Sequence, residues 1–275
     1  MSIRPVKSAP WTPKYELLDG LRGLAALAVV LHHIGVANAG HFSVMVFFVI
    51  SGYCITASAE SCRRNGVGFR DFMSRRVKRI YPPYLLAIAY FALTRTIRVM
   101  VDPSNDFRRP VLEWVQNLTL TQWVSDLFHP VHWADQNPKL FVAAFWSLNY
   151  EEQFYLVMGV GLLAAIHLGV PMVIPVLLLA AAGLVWNRLI PGNWICGLFL
   201  EYWVHFALGS FLFFVLCQYS NLRYRRIFTV VVLFLGLACG SRVILRTTNA
   251  LDDLRAMIEL TFLAAVTLTL FFCGH

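Results

Sequence analysis

Apolar residues run through this chain in long continuous blocks rather than in alternation with polar ones. Eight blocks stand out, at about 17–38, 42–58, 82–100, 141–167, 171–190, 195–217, 227–246 and 256–273. Each reaches or approaches the ~20 residues that an α-helix needs to cross a bilayer. Backbone groups in lipid must be satisfied inside the segment or in a closed barrel, and continuous runs fit helices, not barrel strands. The pattern predicts an all-α, polytopic transmembrane helical bundle of about eight spans, forming one domain over residues 1–275. The longest polar excursions are 59–81 and 101–140.

Composition agrees. The chain is 58% hydrophobic, its mean hydropathy is +0.63, and only 14% of residues are charged. A soluble domain carries about a quarter charged residues. The net charge of +8 is therefore not a nucleic-acid signal. It distributes by side: the segment up to Arg22, the 59–81 excursion and residues 218–226 hold 14 of the 23 Lys and Arg. The positive-inside rule then puts the N-terminus in the cytoplasm of a cell whose inner (plasma) membrane holds the chain. A cleaved signal peptide ending near Ala37-Asn38-Ala39 is the alternative for the first block. The second apolar block follows at once, which suits a helical hairpin better.

Against this background the polar residues inside the apolar blocks carry the chemistry. Arg22 and His33 lie eleven residues apart in the first block. That is about three helical turns, so both share one face, roughly 16 Å apart along the axis. Ionisable residues in a span mark a polar path or a site. Near the third block, Arg75, Arg76 and Arg79 form a basic cluster. Arg76 and Arg79 are neighbours on a helix face. They read either as an anchor on anionic headgroups or as a fork for a phosphate or carboxylate. The intramembrane Arg/His stripe tips the balance toward an anionic ligand.

At the start of the fourth block, Ser147, Glu151 and Tyr155 recur at four-residue intervals on one face, with Glu152 turned about 100° away. Helix-dipole pairing accounts for one glutamate, but not for two acids with a serine and a tyrosine. In the second block, Ser51-Gly52 is a small pair that suits close helix packing. No G-x-S-x-G elbow surrounds Ser51, which weighs against it as an acyl nucleophile. Asp126, His129, His132 and Asp135 have a metal-like spacing that Pro130 interrupts. Glu201 and His205 form a second-tier pair. Six cysteines show no zinc or redox spacing. Asn117-Leu118-Thr119 matches a glycosylation sequon, on three residues only. No metal ligand set is assigned.

Together these clusters resemble the acyltransferase 3 family of integral membrane acyltransferases, the group of the bacterial O-antigen and exopolysaccharide O-acetyltransferases. The matching residues are Leu18-Asp19-Gly20-Leu21-Arg22-Gly23-Leu24-Ala25 with His33, then Phe48-Val49-Ile50-Ser51-Gly52-Tyr53. They continue with Arg75-Arg76-Val77-Lys78-Arg79-Ile80-Tyr81-Pro82 and Phe145-Trp146-Ser147-Leu148-Asn149-Tyr150-Glu151-Glu152-Gln153-Phe154-Tyr155. The match is ordered and covers about residues 15–160. The resemblance implies about ten spans, so a chain of eight reads as a truncated or shortened member. It also implies transfer of an acyl group, often acetyl, from cytoplasmic acyl-CoA to a carbohydrate hydroxyl. The acceptor is a carbohydrate or a lipid-linked saccharide, in contact with membrane lipid.

In that frame Arg22, His33 and Glu151 are the expected catalytic residues. Arg75, Arg76 and Arg79 bind the acyl-CoA, a co-substrate rather than a resident cofactor. Ser51, Ser147 and Tyr155 contact substrate. A sugar hydroxyl is a poor nucleophile near neutral pH, and a neutral histidine in hydrogen-bond reach takes its proton, so His33 is the expected general base. An anion or acyl-carrier transporter built on the same stripe is the alternative, since buried Arg and His mark ion paths as well as active sites.

Overall fold

A computed structural model describes residues 16–36, 40–104, 107–128, 131–132, 140–142, 145–189, 194–195, 197–218, 226–227 and 230–231. The described chain is helical apart from one short pairing. Eight α-helices follow one another: α1 (Glu16–His33), α2 (Gly40–Arg64), α3 (Phe69–Val101), α4 (Val111–Thr119), α5 (Gln122–Phe128), α6 (Trp146–Leu168), α7 (Val173–Leu189) and α8 (Trp203–Phe213). Val131–His132 (β1) and Trp194–Ile195 (β2) pair antiparallel and tie the 107–142 excursion to the segment before α8. A 3-10 turn, Phe199–Glu201, leads into α8, and a π-helical segment, Phe214–Gln218, follows it.

Six of the eight expected blocks correspond to helices. Those at 227–246 and 256–273 lie, but for a few residues, outside the described part. Among the described residues, two helices are long and apolar enough to cross a membrane: Phe42–Arg64, within α2, and α3. The structure corrects two boundaries. The excursion 59–81 is largely helical, because α2 runs on to Arg64 and α3 starts at Phe69. The third block is thus the later part of a 33-residue helix, about 50 Å long, that continues through Pro82 and Pro83. Both prolines are exposed; their missing N–H groups cost two backbone bonds, and their rings crowd the carbonyls of Lys78 and Arg79 one turn back.

α2 is the central helix. It packs against α1, α6 and α8. Its core face carries Met45, Val46, Phe48, Val49, Ile50 and Tyr53, all buried. Phe48 sits among Trp146, Tyr150, Tyr202 and Phe206, with ring centroids 4.7 to 6.3 Å away. The buried hydroxyls are satisfied: Thr56 donates to Ser210 at 2.8 Å, and Ser210 donates to the Phe206 carbonyl at 2.9 Å. The α2–α8 crossing is close because glycines meet there. A Cβ on Gly52 would stand 2.1 Å from the Phe206 carbonyl oxygen. α3, by contrast, leaves Leu86, Tyr90, Leu93, Ile97 and Met100 exposed, an apolar surface that water does not favour.

Candidate functional site

A cavity of about 320 Å³ opens where α1, α2, α3 and α6 converge. Its polar wall is Arg22 from α1, Ser51 from α2, Arg79 from α3, and Glu151 and Tyr155 from α6. Phe47, Ile80, Tyr84 and Phe145 are among its apolar walls. The volume suits a small organic group.

Each polar side chain arrives through a local rule. On α6, Glu151 and Tyr155 stand one turn apart on the face toward α2. Ser51 Oγ donates to Glu151 Oε1 at 2.9 Å, and the Tyr155 hydroxyl donates to the same oxygen in a short bond. One carboxylate oxygen therefore accepts from two helices. On α1, Arg22 Nη1 lies 3.3 Å from Asp19 Oδ1, and Nη2 lies 3.4 Å from Cys54 Sγ. Asp19 is exposed, so that ion pair is weak and leaves the guanidinium available to the cavity.

The basic cluster divides. Arg79 lines the cavity. Arg76 stands behind it, stacked on the rings of Phe72 and Tyr155 at 5.4 and 5.7 Å. Its Nε is buried with no hydrogen-bond partner. Arg75 turns away, donating to the Asp71 carbonyl at 3.3 Å and approaching Cys62 Sγ at 3.4 Å. Ser147 and His33 are not cavity-lining residues. His33 occupies the last turn of α1 and is exposed. Its ring meets that of His32 edge-on at 5.6 Å.

Spacing alone did not point to several partners. The Tyr81 hydroxyl donates to Glu152 Oε1 at 2.5 Å, so the second acid of the α6 pair serves α3 while the first serves α2. Tyr84, a cavity wall, donates to the Asn117 carbonyl. Tyr150 donates to Glu201 at 2.9 Å. Aromatic hydroxyls in helix-facing positions were the available signal. Asn117 of the sequon is buried: its amide donates to the Glu113 carbonyl at 2.8 Å and accepts from the Phe141 N–H at 2.9 Å. His129 and Asp135 of the metal-like run lie outside the described residues.

A cavity with two guanidinium groups, a carboxylate and two hydroxyls can hold an anion and stabilise charge that develops on a carbonyl oxygen. Comparisons with known proteins point the same way. A Bacillus subtilis (strain 168) protein, provisionally named peptidoglycan O-acetyltransferase YrhL, is 33% identical over 165 residues, covering 55% of this chain and 24% of that protein. O-acetyltransferase OatA of Staphylococcus aureus (strain NCTC 8325 / PS 47) is 29% identical over 162 residues, covering 57% of this chain and 26% of that protein. The chain thus spans about a quarter of the length of these two relatives. No solved structure matches it. The family model described as an acyltransferase domain matches residues 15–275, and the chain belongs to this acyltransferase 3 family.

Proposed function

We propose that this acyltransferase is a multi-pass protein of the inner (plasma) membrane, with its N-terminus in the cytoplasm, and that it moves an acetyl group from acyl-CoA to a carbohydrate hydroxyl. Peptidoglycan, which appears in the name of one relative, is the acceptor class to test first; a lipid-linked saccharide is the other. The observation that carries this reading is the juxtaposition of Arg22, Arg79 and Glu151 around one cavity.

The roles follow from charge and place. Arg75, Arg76 and Arg79 belong to one stretch of α3 whose summed positive charge draws the phosphates of the coenzyme to this end of the bundle, although only Arg79 of the three lines the cavity. Arg22 and Arg79 stabilise the oxyanion formed when the thioester carbonyl is attacked. Glu151 orients Ser51 and Tyr155 toward the reacting group, and Ser147 stands one turn before it on α6, where the acceptor comes in. His33 is the base on the acceptor side. It stands three turns beyond Arg22 on α1 and outside the cavity, so the acceptor's proton reaches it through water. The eight apolar blocks and the distribution of Lys and Arg support the membrane placement.

The test is release of free coenzyme thiol by the purified chain from acetyl-CoA in the presence of soluble peptidoglycan fragments. Acetyl ester appearing on the fragments supports the reading. A protein that moves anions or acylated carriers without consuming the thioester would leave the thiol signal at background and sink it.

A further inference from the structure

Ser51, Glu151 and Tyr155 form a hydrogen-bonded series in the cavity. Ser51 Oγ donates to Glu151 Oε1 at 2.9 Å, and Tyr155 donates to the same oxygen. A hydroxyl bonded to a carboxylate that a third group holds in place is the arrangement that activates a nucleophile. Arg22 and Arg79 line the same space, with positive charge available for a carbonyl oxygen that becomes tetrahedral. Ser51 is also fixed from behind. The next residue, Gly52, lies with its Cα against the Phe206 backbone, so α2 cannot rotate there without breaking its crossing with α8. The missing G-x-S-x-G elbow does not count against this serine. That elbow exists to expose a serine at a strand-to-helix turn, and here the cavity wall already exposes it.

We infer that Ser51 carries the acyl group as a covalent ester between donor and acceptor, with Glu151 as its base. The inference rests on the acyl-transfer reading above and adds an intermediate to it. In the first half-reaction the Ser51 oxygen forms a bond to the acyl carbon and the carbon–sulfur bond breaks. Glu151 takes the hydroxyl proton, and the coenzyme leaves as a thiolate that takes a proton from water on the donor side. In the second half-reaction the acceptor oxygen bonds to the acyl carbon and the Ser51 ester bond breaks. Ser51 recovers its proton from Glu151, and the acceptor's proton leaves the cavity through water, with His33 outside it as the final acceptor. No electrons change hands. An ester stored in the bundle lets the coenzyme depart before the saccharide arrives.

The experiment mixes the full chain, in detergent or nanodiscs, with acetyl-CoA carrying an isotopically labelled acetyl group and no acceptor. The mixture is quenched in acid, the thiol is counted, and the peptides are read by mass spectrometry. The expected result is a burst of thiol approaching one per chain and a labelled acetyl on the peptide that contains Ser51. Soluble peptidoglycan fragments then chase the label into product. Ser51→Ala abolishes the label. Ser51→Cys keeps it as a thioester that neutral hydroxylamine removes, which shows that the variant is folded. Glu151→Gln slows the burst by about 100-fold or more. Acceptor-dependent thiol release without acetyl on Ser51, or wild-type turnover by Ser51→Ala, overturns the inference and leaves the acyltransferase reading standing. Absence of thiol release both with and without acceptor overturns both.

Discussion

Gly209 of α8 lies with its Cα against Val49 of α2: a Cβ built there would stand 1.8 Å from the Val49 carbonyl oxygen. The neighbour is backbone, so it cannot rotate away as a flexible side chain would. Gly52 repeats the relationship from the other helix. Small residues on both partners are what let helix backbones approach this closely. Gly209→Ala and Gly52→Ala must push the helices apart, at a cost of about 1–3 kcal/mol each. Thermal unfolding of the detergent-solubilised protein measures this. Melting at the wild-type temperature for both variants would contradict the crossing.

Much of this architecture was legible in the order of residues. The apolar blocks located α1, α2, α6, α7 and α8, because a span must be continuous and helical. The start of α3 was not legible. Four arginines and a lysine between residues 70 and 79 look like solvated loop, and Pro82-Pro83 looks like a helix boundary. The helix forms because Arg70, Arg75, Lys78 and Arg79 project from an exposed surface, Phe72, Ile80 and Tyr84 pack inward, and Arg76 stacks on the rings of Phe72 and Tyr155. At the site, spacing put Glu151 and Tyr155 on one face of α6. It could not say that Ser51, a hundred residues away, would meet them. Pairing between distant helices depends on how they cross, and a single helix pattern does not encode that. The same holds for Cys54 beside Arg22.

Arg22 and Arg79 differ from a general basic surface in what they face. Replacing either with Ala removes a donor from the place where charge develops. The expected loss in kcat/KM is about 10²–10³. Lysine at either position keeps the charge but not the planar fork, so recovery is partial. Steady-state thiol release over a range of acetyl-CoA concentrations separates the effects. A loss confined to KM would assign both arginines to coenzyme binding alone.

His33 and Glu151 stand in different surroundings, one exposed at the end of α1 and one in the cavity. Two proton acceptors in two places make distinguishable predictions. His33→Ala lowers acceptor-dependent turnover by about 10²–10⁴ and leaves coenzyme affinity unchanged. Glu151→Gln lowers turnover as well, but by acting on the donor half-reaction. Measuring thiol release with saturating acetyl-CoA and varied acceptor tells the two apart. Full activity of His33→Ala on a defined acceptor would remove the imidazole from the chemistry.

Tyr81 and Glu152 test whether the second acid of α6 is a support for the bundle rather than a reactant. The Tyr81 hydroxyl bonds Glu152 Oε1 at 2.5 Å and also the Thr119 carbonyl at 3.2 Å. Glu152 Oε2 is buried with no hydrogen-bond partner. Tyr81→Phe removes the donor and leaves Glu152 less satisfied than before, which costs about 1–3 kcal/mol. Removing both polar partners is milder, since two apolar groups of similar shape leave nothing unpaired. The double variant Tyr81→Phe with Glu152→Met is therefore expected to melt above Tyr81→Phe alone. Simple additivity of the two single losses would show that the pair is not coupled. A double variant that regains stability but not thiol release would move Glu152 from the scaffold into the reaction.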